Sequence, residues 1–544
     1  MKKPSAIRNL ENRARKGNLK AIFELAQHYE SGKFVDEDKN KSDKLYKDAI
    51  ALFSKKSLRL KNVKIYDFRG ITDLHMDFQK GGKGAVNPIV IIGNNGFGKT
   101  TILESISKSL SWLSTRIANQ IDTSGKKIEE SDINNYSSNN YATIVCQFAL
   151  DDKSTFNIEL SKSRTGSQVN KRNDLEEITQ LAEIYKKANK DLKDFNLPIF
   201  SYYSVSRALD FDKKDFKNLS EDTLNPSTSK FTGYKYSLGG ATNLIECLKW
   251  YKDLEDIRNQ IVHSNPDKEA INTQMKVLSD LLSDDTTPTN SIALDIIKNK
   301  LSELKEKSET LEDNNSLNNV SKPIEIINKV ISIFMDGFKD LTVTRSPLDF
   351  HVTKGNEKLS LIQLSQGEKS TLSLIIDITR RLIALNPSLE NPIDGSGIIL
   401  IDEIDLHIHP EWQQKIIPKL ISIFPNIQFI LTTHSPHVLT TVRRHSIFSL
   451  NKNEDGAIEC NSPEGTSYGE KSSHVLRDIM NVNPFPPTPA LDLYRKADAL
   501  LQSGDSTSNE FTLLFKDLLD ILGDRHSLII KMKNDLMLIE ALGE

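Results

Sequence analysis

Residues 89–107, IVIIGNNGFGKTTILESIS, constrain this chain more than any other stretch. The β-branched run Ile89, Val90, Ile91 and Ile92 breaks into the pattern G-x-x-x-x-G-K-T over residues 93–100, and Ile102, Leu103 and Ile106 then follow at helical spacing. Strand, glycine loop and helix in that order is the context a phosphate-binding loop requires. Gly93, Gly96 and Gly98 let successive backbone N–H groups turn inward around phosphate oxygens, and the new helix offers its positive end. Lys99 is placed to reach β- and γ-phosphates, and Thr100 supplies a hydroxyl for Mg²⁺. The expected phosphate-binding set is Gly93, Asn94, Asn95, Gly96, Phe97, Gly98, Lys99, Thr100 and Thr101.

With 544 residues and 38% hydrophobic content, the chain can bury a large core and divide into two to four domains. A net charge of −3 leaves no whole-molecule footprint for nucleic acid, so any such contact would come from a local patch. The local excess of 18 Lys and Arg over 9 Asp and Glu in residues 1–70 reads first as a solvated helical face. Cys146, Cys247 and Cys460 lie far apart, with neither metal-ligand nor disulfide spacing. No apolar run is long enough to span a bilayer, and the first residues lack a signal-peptide core, so a cytoplasmic protein without membrane contact is expected.

Along the chain, residues 1–57 read as short helices. Ala14, Gly17, Ala21, Leu25, Tyr29 and Gly32 follow the spacing of one Sel1-like, tetratricopeptide-type repeat. A single repeat cannot bury its own face and is expected to cap another domain or meet a partner. From residue 58 the texture turns to strands, with Arg69 on the DFRG corner between two of them. Residues 170–195 read as a charged helix whose stripe, Leu175, Ile178, Leu181, Ile184 and Tyr185, packs into a core. Residues 212–335 read as a polar helical insertion with loops near 218–230 and 283–291. Strands return near residue 341, with a Gly355-Asn356 turn, and residues 366–385 read as a long helix. The predicted division is therefore 1–57, 58–211, 212–335, 336–460 and 461–544, the last a helical segment suited to binding a partner.

Four more motifs follow the glycine loop in order. IILIDEID ends a buried strand in Asp402 and Glu403 at the carboxyl edge of a parallel sheet, where Asp402 would hold Mg²⁺ through water and Glu403 would orient or deprotonate an attacking water. LSQGEKS opens a helix with Ser365 and the Gly367 N–H at its positive end. DLHIHP follows as a loop, and TTHSP closes the next strand with His434, suited to contact a γ-phosphate. Taken alone, Ser365 reads as a helix cap. Likewise Asp402, Glu403, Asp405, His407, His409 and His434 would suit a transition metal.

This order resembles the ABC-type ATPases of the SMC-like and OLD-like class, in which two heads sandwich two nucleotides. The resemblance implies an α/β P-loop ATPase head with a helical insertion and helical terminal segments, using ATP and Mg²⁺. Catalysis would fall to Glu403, Lys99 and His434, the metal to Thr100 and Asp402, and Ser365 and Gly367 would act across a homodimer or larger homo-oligomer. Arg69 is expected beside the nucleotide, and Gln147 is a candidate for the loop that senses Mg²⁺. No Glu and Asp-x-Asp arrangement of an OLD nuclease follows residue 436. The Sel1-like opening and the SSHVLRDIM and LGDRHSLIIKMKNDL segments resemble the PtuA ATPases of Septu and retron anti-phage defence. That likeness implies a PtuB-like HNH nuclease as partner and, in retron versions, a reverse transcriptase with its RNA-linked DNA. Two other readings stay open: a DNA-repair or recombination ATPase, and a nucleotide-locked scaffold with little turnover.

Overall fold

A computed structural model describes residues 4–79, 86–119, 123–208, 216, 229–242, 244–264, 273–275, 277–278, 297–304 and 314–542. Strands β1 (Arg59–Phe68), β2 (Ile71–Asp77), β4 (Tyr141–Asp151) and β5 (Ser154–Ser163) alternate buried and accessible residues and form an antiparallel sheet in the order β2-β1-β4-β5. Such alternation belongs to a sheet with one face on the core. Strands β3 (Ile89–Gly93), β6 (Ile199–Tyr203), β10 (Gly397–Ile401) and β11 (Ile427–Thr432) are instead almost wholly buried, as near-continuous aliphatic runs must be when both faces are covered. With β12 (Ile447–Lys452) and β13 (Ile458–Asn461) they make a second sheet in the order β13-β12-β3-β11-β10-β6, parallel except at β13.

Register decides where the chemistry goes. Ile401 lies beside both Leu431 and Tyr203, and Thr432 beside Ile91, so the carboxyl ends of β3, β11, β10 and β6 line one edge. With neighbouring strands about 4.8 Å apart, the loops leaving these four strands fall within about 15 Å of one another. A third, antiparallel sheet joins β7 (Phe338–Arg345), β8 (Leu348–Lys354) and β9 (Glu357–Ser360), with Gly355 and Asn356 in the turn between β8 and β9.

Helices α1 (Ser5–Arg15), α2 (Leu19–Ser31) and α3 (Lys39–Phe53) share a small core of Ile7, Leu10, Ala21, Leu25 and Tyr29. These helices contact the neighbouring sheet and helix. The Leu19 N–H donates to Ser154 Oγ at 3.2 Å, and the Phe53 ring lies 4.6 Å from that of Tyr185. Tyr185 belongs to the helix Glu176–Asp191, which is shorter than the expected 170–195 because residue 174 pairs in extended form with residue 159. Ile178, Leu181, Ile184 and Tyr185 are buried as a core stripe, and Leu175 is the partly exposed cap.

Of the expected insertion, the described parts are largely helical, with helices Leu244–Ser264 and Asn314–Phe334 the longest. Residues 218–228 and 283–291 lie outside the described residues. The two helices pack against each other and against the helix Gln366–Leu385. Under that contact sits a buried charge cluster. Asp377 Oδ2 accepts from Arg381 Nε at 2.7 Å and the Tyr203 hydroxyl at 2.8 Å, while Oδ1 accepts from Arg380 Nη2 at 3.2 Å and Cys247 Sγ at 3.3 Å. Burial would raise the Asp377 carboxyl, but the two guanidinium groups win and hold it down at about 2. The unfolded chain therefore binds more protons than the folded one between the ordinary carboxylate range and about pH 2. This contribution to stability is complete above that range and is lost as pH falls through it. An Asp377→Asn chain, with two cations left uncompensated, should lose about 3–5 kcal/mol in urea unfolding at pH 7, and most of that difference should vanish on acidification.

The chain forms two compact units, residues 1–469 and 470–544. The head thus extends past the expected boundary at 461, because the Gly469 N–H donates to Thr440 O at 2.8 Å and Ser467 Oγ to Val442 O at 2.5 Å. Residues 58–211 and 336–460 build the parallel sheet together, which draws strands from both. The second unit holds helices Ser472–Asp478, Pro489–Gln502, Asn509–Leu522 and Ser527–Leu542, the last three around Tyr494, Leu501, Phe511, Leu518, Ile529 and Met532.

Candidate functional site

The loop after β3 bends as a phosphate cradle needs. Gly96 and Gly98 have φ of +79° and +84°, a region that side-chain-bearing residues enter at a cost, and residue 99 begins the helix Lys99–Ala118. The Lys99 ammonium is buried and donates to the carbonyls of Gly93 at 2.8 Å and Asn94 at 3.2 Å. Carbonyls only partly replace water around a cation. Desolvation accordingly pulls the Lys99 pKa down, against the carboxylates of Asp402, Glu403 and Asp405. A buried cation beside a glycine loop that opens a helix is an arrangement suited to receive an anion.

β10 delivers the carboxylates. Asp402 is fully buried; its Oδ2 accepts from Thr100 Oγ1 at 2.7 Å and its Oδ1 from Thr432 Oγ1 at 2.5 Å. Two hard oxygens, one hydroxyl and one carboxylate, meet where the glycine loop faces β10, which is the donor chemistry Mg²⁺ takes. Glu403 follows with φ of +46°, and its N–H donates to Thr432 Oγ1 at 2.7 Å. The residue stays partly exposed at the carboxyl edge. From β11, Thr433 Oγ1 donates to Asp405 Oδ1 at 2.6 Å and the His434 N–H to the same oxygen at 3.3 Å. Burial and the Lys99 ammonium hold the His434 imidazole below the usual histidine range, against Glu403, Asp405 and Asp402, so at pH 7 it is neutral with one N–H to donate. Lys99, Thr100, Asp402, Glu403 and His434 therefore converge on one edge.

Ser365 caps the helix Gln366–Leu385 through a reciprocal box: the Glu368 N–H donates to Ser365 Oγ at 3.4 Å, and the Ser365 N–H to Glu368 Oε2 at 2.9 Å. It is exposed, so another molecule can reach it. Gly367 is fixed by contact rather than conformation, because a Cβ there would sit 2.1 Å from the His407 carbonyl oxygen. Gly367→Ala should force the helix start away from the 405–409 turn, costing about 1–3 kcal/mol in denaturant unfolding, with a loss of ATPase beyond what the fraction folded explains.

The Arg69 guanidinium pairs with Glu104 Oε2 at 2.5 Å and Asp132 Oδ1 at 2.9 Å, which braces it against the P-loop helix. Gln147 sits inside β4, bonded to Asn62 Nδ2 at 2.9 Å and Asn157 Oδ1 at 3.0 Å, away from the carboxyl edge of the parallel sheet. His407 is exposed, and His409 Nδ1 caps the helix Pro410–Ile423. Among the described residues no group of three or more His, Cys, Asp or Glu side chains is arranged to hold a metal ion on its own. The sequence reading missed Arg207, a buried guanidinium at the end of β6 whose acceptors are backbone carbonyls and so leave no side-chain pattern.

A family model described as an AAA ATPase domain matches residues 59–439. A Vibrio cholerae protein named "Retron Vc95 probable ATPase" is 33% identical over 507 residues, covering 92% of this chain and 95% of that protein. An Escherichia coli protein named "Retron Ec83 probable ATPase" is 34% identical over 495 residues, covering 89% and 88%. A Bacillus thuringiensis "Septu protein PtuA" is 28% identical over 175 residues, covering 31% and 44%.

Proposed function

The chain belongs to the AAA ATPase domain family and is an ATPase of the retron and Septu PtuA type, and from that premise we propose that two copies close on ATP and that the closed state controls a partner nuclease in anti-phage defence. The observation that carries this reading is the convergence of Lys99, Thr100, Asp402, Glu403 and His434 on one sheet edge, with an exposed Ser365 left for a second copy.

In this reading the loop amides and Lys99 hold the β- and γ-phosphates. Thr100 and Asp402 would hold Mg²⁺, which when bound neutralises phosphate charge. Glu403 orients the attacking water and takes its proton, and the neutral His434 donates its N–H to the γ-phosphate. Ser365 and the Gly367 N–H of the other copy bring the positive end of their helix to the same group. ATP is thus the tie between the heads, and hydrolysis cuts it.

The partner is an HNH nuclease of the PtuB kind and, in a retron setting, a reverse transcriptase with its RNA-linked DNA. The place of action is the cytoplasm; among the described residues no helix is long and apolar enough to cross a membrane. Co-expression with an HNH nuclease from the same locus tests this: the nuclease should co-purify, and the ATPase should double in mass on adding ATP and Mg²⁺. A chain that keeps its mass in ATP and leaves the nuclease behind would overturn the proposal.

A further inference from the structure

Arg207 lies in the single turn Val205–Ala208 that follows β6, and it is 3% exposed. Its Nη1 donates to the Asp402 carbonyl and, at 3.1 Å, to that of Ser204; its Nη2 donates to the Glu403 carbonyl at 2.5 Å. Among the described residues every acceptor its guanidinium reaches is a backbone carbonyl. Removing a cation from water without a bonded carboxylate is expensive, so this arrangement is a poor stabiliser. Burial lowers its pKa to about 10, with Asp402, Asp405 and Glu403 pulling the other way.

What the guanidinium does achieve is geometric. Glu403 stands at φ of +46°, a conformation that costs a side-chain-bearing residue about 1–3 kcal/mol and persists only when its surroundings hold it. The Glu403 N–H is held by Thr432, and its carbonyl accepts from both Arg207 and the Leu406 N–H. Of these, Arg207 alone also grips the preceding carbonyl, that of Asp402. The same turn is tied to residues 240–242, just before the helix Leu244–Ser264. The Ser204 N–H donates to Gly240 O at 2.7 Å, and Thr242 Oγ1 donates to Arg207 O at 3.0 Å.

We propose that Arg207 is the positioning residue for Glu403, and that through it any shift of the helical insertion changes where the Glu403 carboxylate stands and hence the rate of hydrolysis. The inference rests on Glu403 acting on water, as assigned above. It makes the insertion a control input: a partner that moves residues 240–242 alters turnover without touching the nucleotide.

The test is a double-mutant cycle on the full chain with ATP and Mg²⁺. Arg207→Met should lower kcat about 100-fold, the usual cost of misplacing a catalytic group by an ångström, with KM and ATP affinity within about 3-fold of wild type. Arg207→Lys, which keeps the charge but reaches one carbonyl at a time, should recover part of that loss. In a Glu403→Gln background, adding Arg207→Met should change the residual rate by less than about 3-fold, because the group it positions is already gone. Independent losses that multiply, or a loss carried by KM, would overturn the inference. Should Arg207→Met fail to fold, Arg207→Lys in both backgrounds makes the same comparison. If Glu403→Gln alone leaves kcat unchanged, the assignment of Glu403 itself has failed, a result distinct from either outcome for Arg207.

Discussion

A Glu403→Gln chain should bind ATP as tightly as wild type and turn it over about 10²–10⁴-fold more slowly, the range general-base catalysis supplies. Glutamine keeps the length and shape of the side chain, and the backbone at φ of +46° is held by bonds that do not involve the carboxylate. What is lost is the proton acceptor of a residue partly exposed at the edge where the attacking water must stand. The ATP-bound dimer should then accumulate, so light scattering after gel filtration in ATP and Mg²⁺ should find a dimer that persists where wild type decays. A variant with wild-type turnover, or one whose assembly in ATP matches wild type, would remove Glu403 from the mechanism.

Lys99→Ala should act on binding instead. The Lys99 ammonium is buried against two carbonyls, and desolvation there lowers its pKa. Truncating it should therefore leave thermal stability unchanged or slightly raised. Once phosphate is present the same cation becomes a charge-assisted partner in a dry site. Its removal then leaves phosphate charge uncompensated, at about 2–5 kcal/mol, or roughly 30- to 5,000-fold in ATP affinity. Titration calorimetry with ATP, beside a melting curve without it, separates the two effects. A variant that loses stability in step with affinity would mean that Lys99 is structural.

The elements with a strong period were legible. Residues 366–385 read as a helix and form one with those bounds, because an apolar stripe and a Ser-x-x-Glu cap agree on where it begins. The glycine loop and the two carboxylates were legible too, since each motif needs particular residue types at fixed offsets. Arg207 was not, because its partners are carbonyls that any sequence carries. Asp377 escaped for a related reason. In DITRR an acid stands three and four residues before two arginines, the spacing of a solvated ion pair on a helix surface, and only the packing of the Leu244–Ser264 helix shows that the group is buried. Arg69 was found on the turn where the sequence put it, but the two carboxylates that claim it lie 35 and 63 positions away along the chain. Residues 461–469 looked like the start of a new segment because they are loop-rich, although hydrogen bonds to residues 440–444 keep them with the head.

The most direct measurement mixes two inactive chains. Lys99→Ala disables a protomer's own pocket, and Ser365→Arg disables what it offers its partner, so neither alone should hydrolyse ATP. If each pocket is completed by the other copy, a mixed dimer holds one doubly damaged site and one intact site. An equimolar mixture should then regain about a quarter of wild-type ATPase, because half the dimers are mixed and each has one working site of two. A mixture no more active than its components would contradict the claim that two copies close on shared nucleotide.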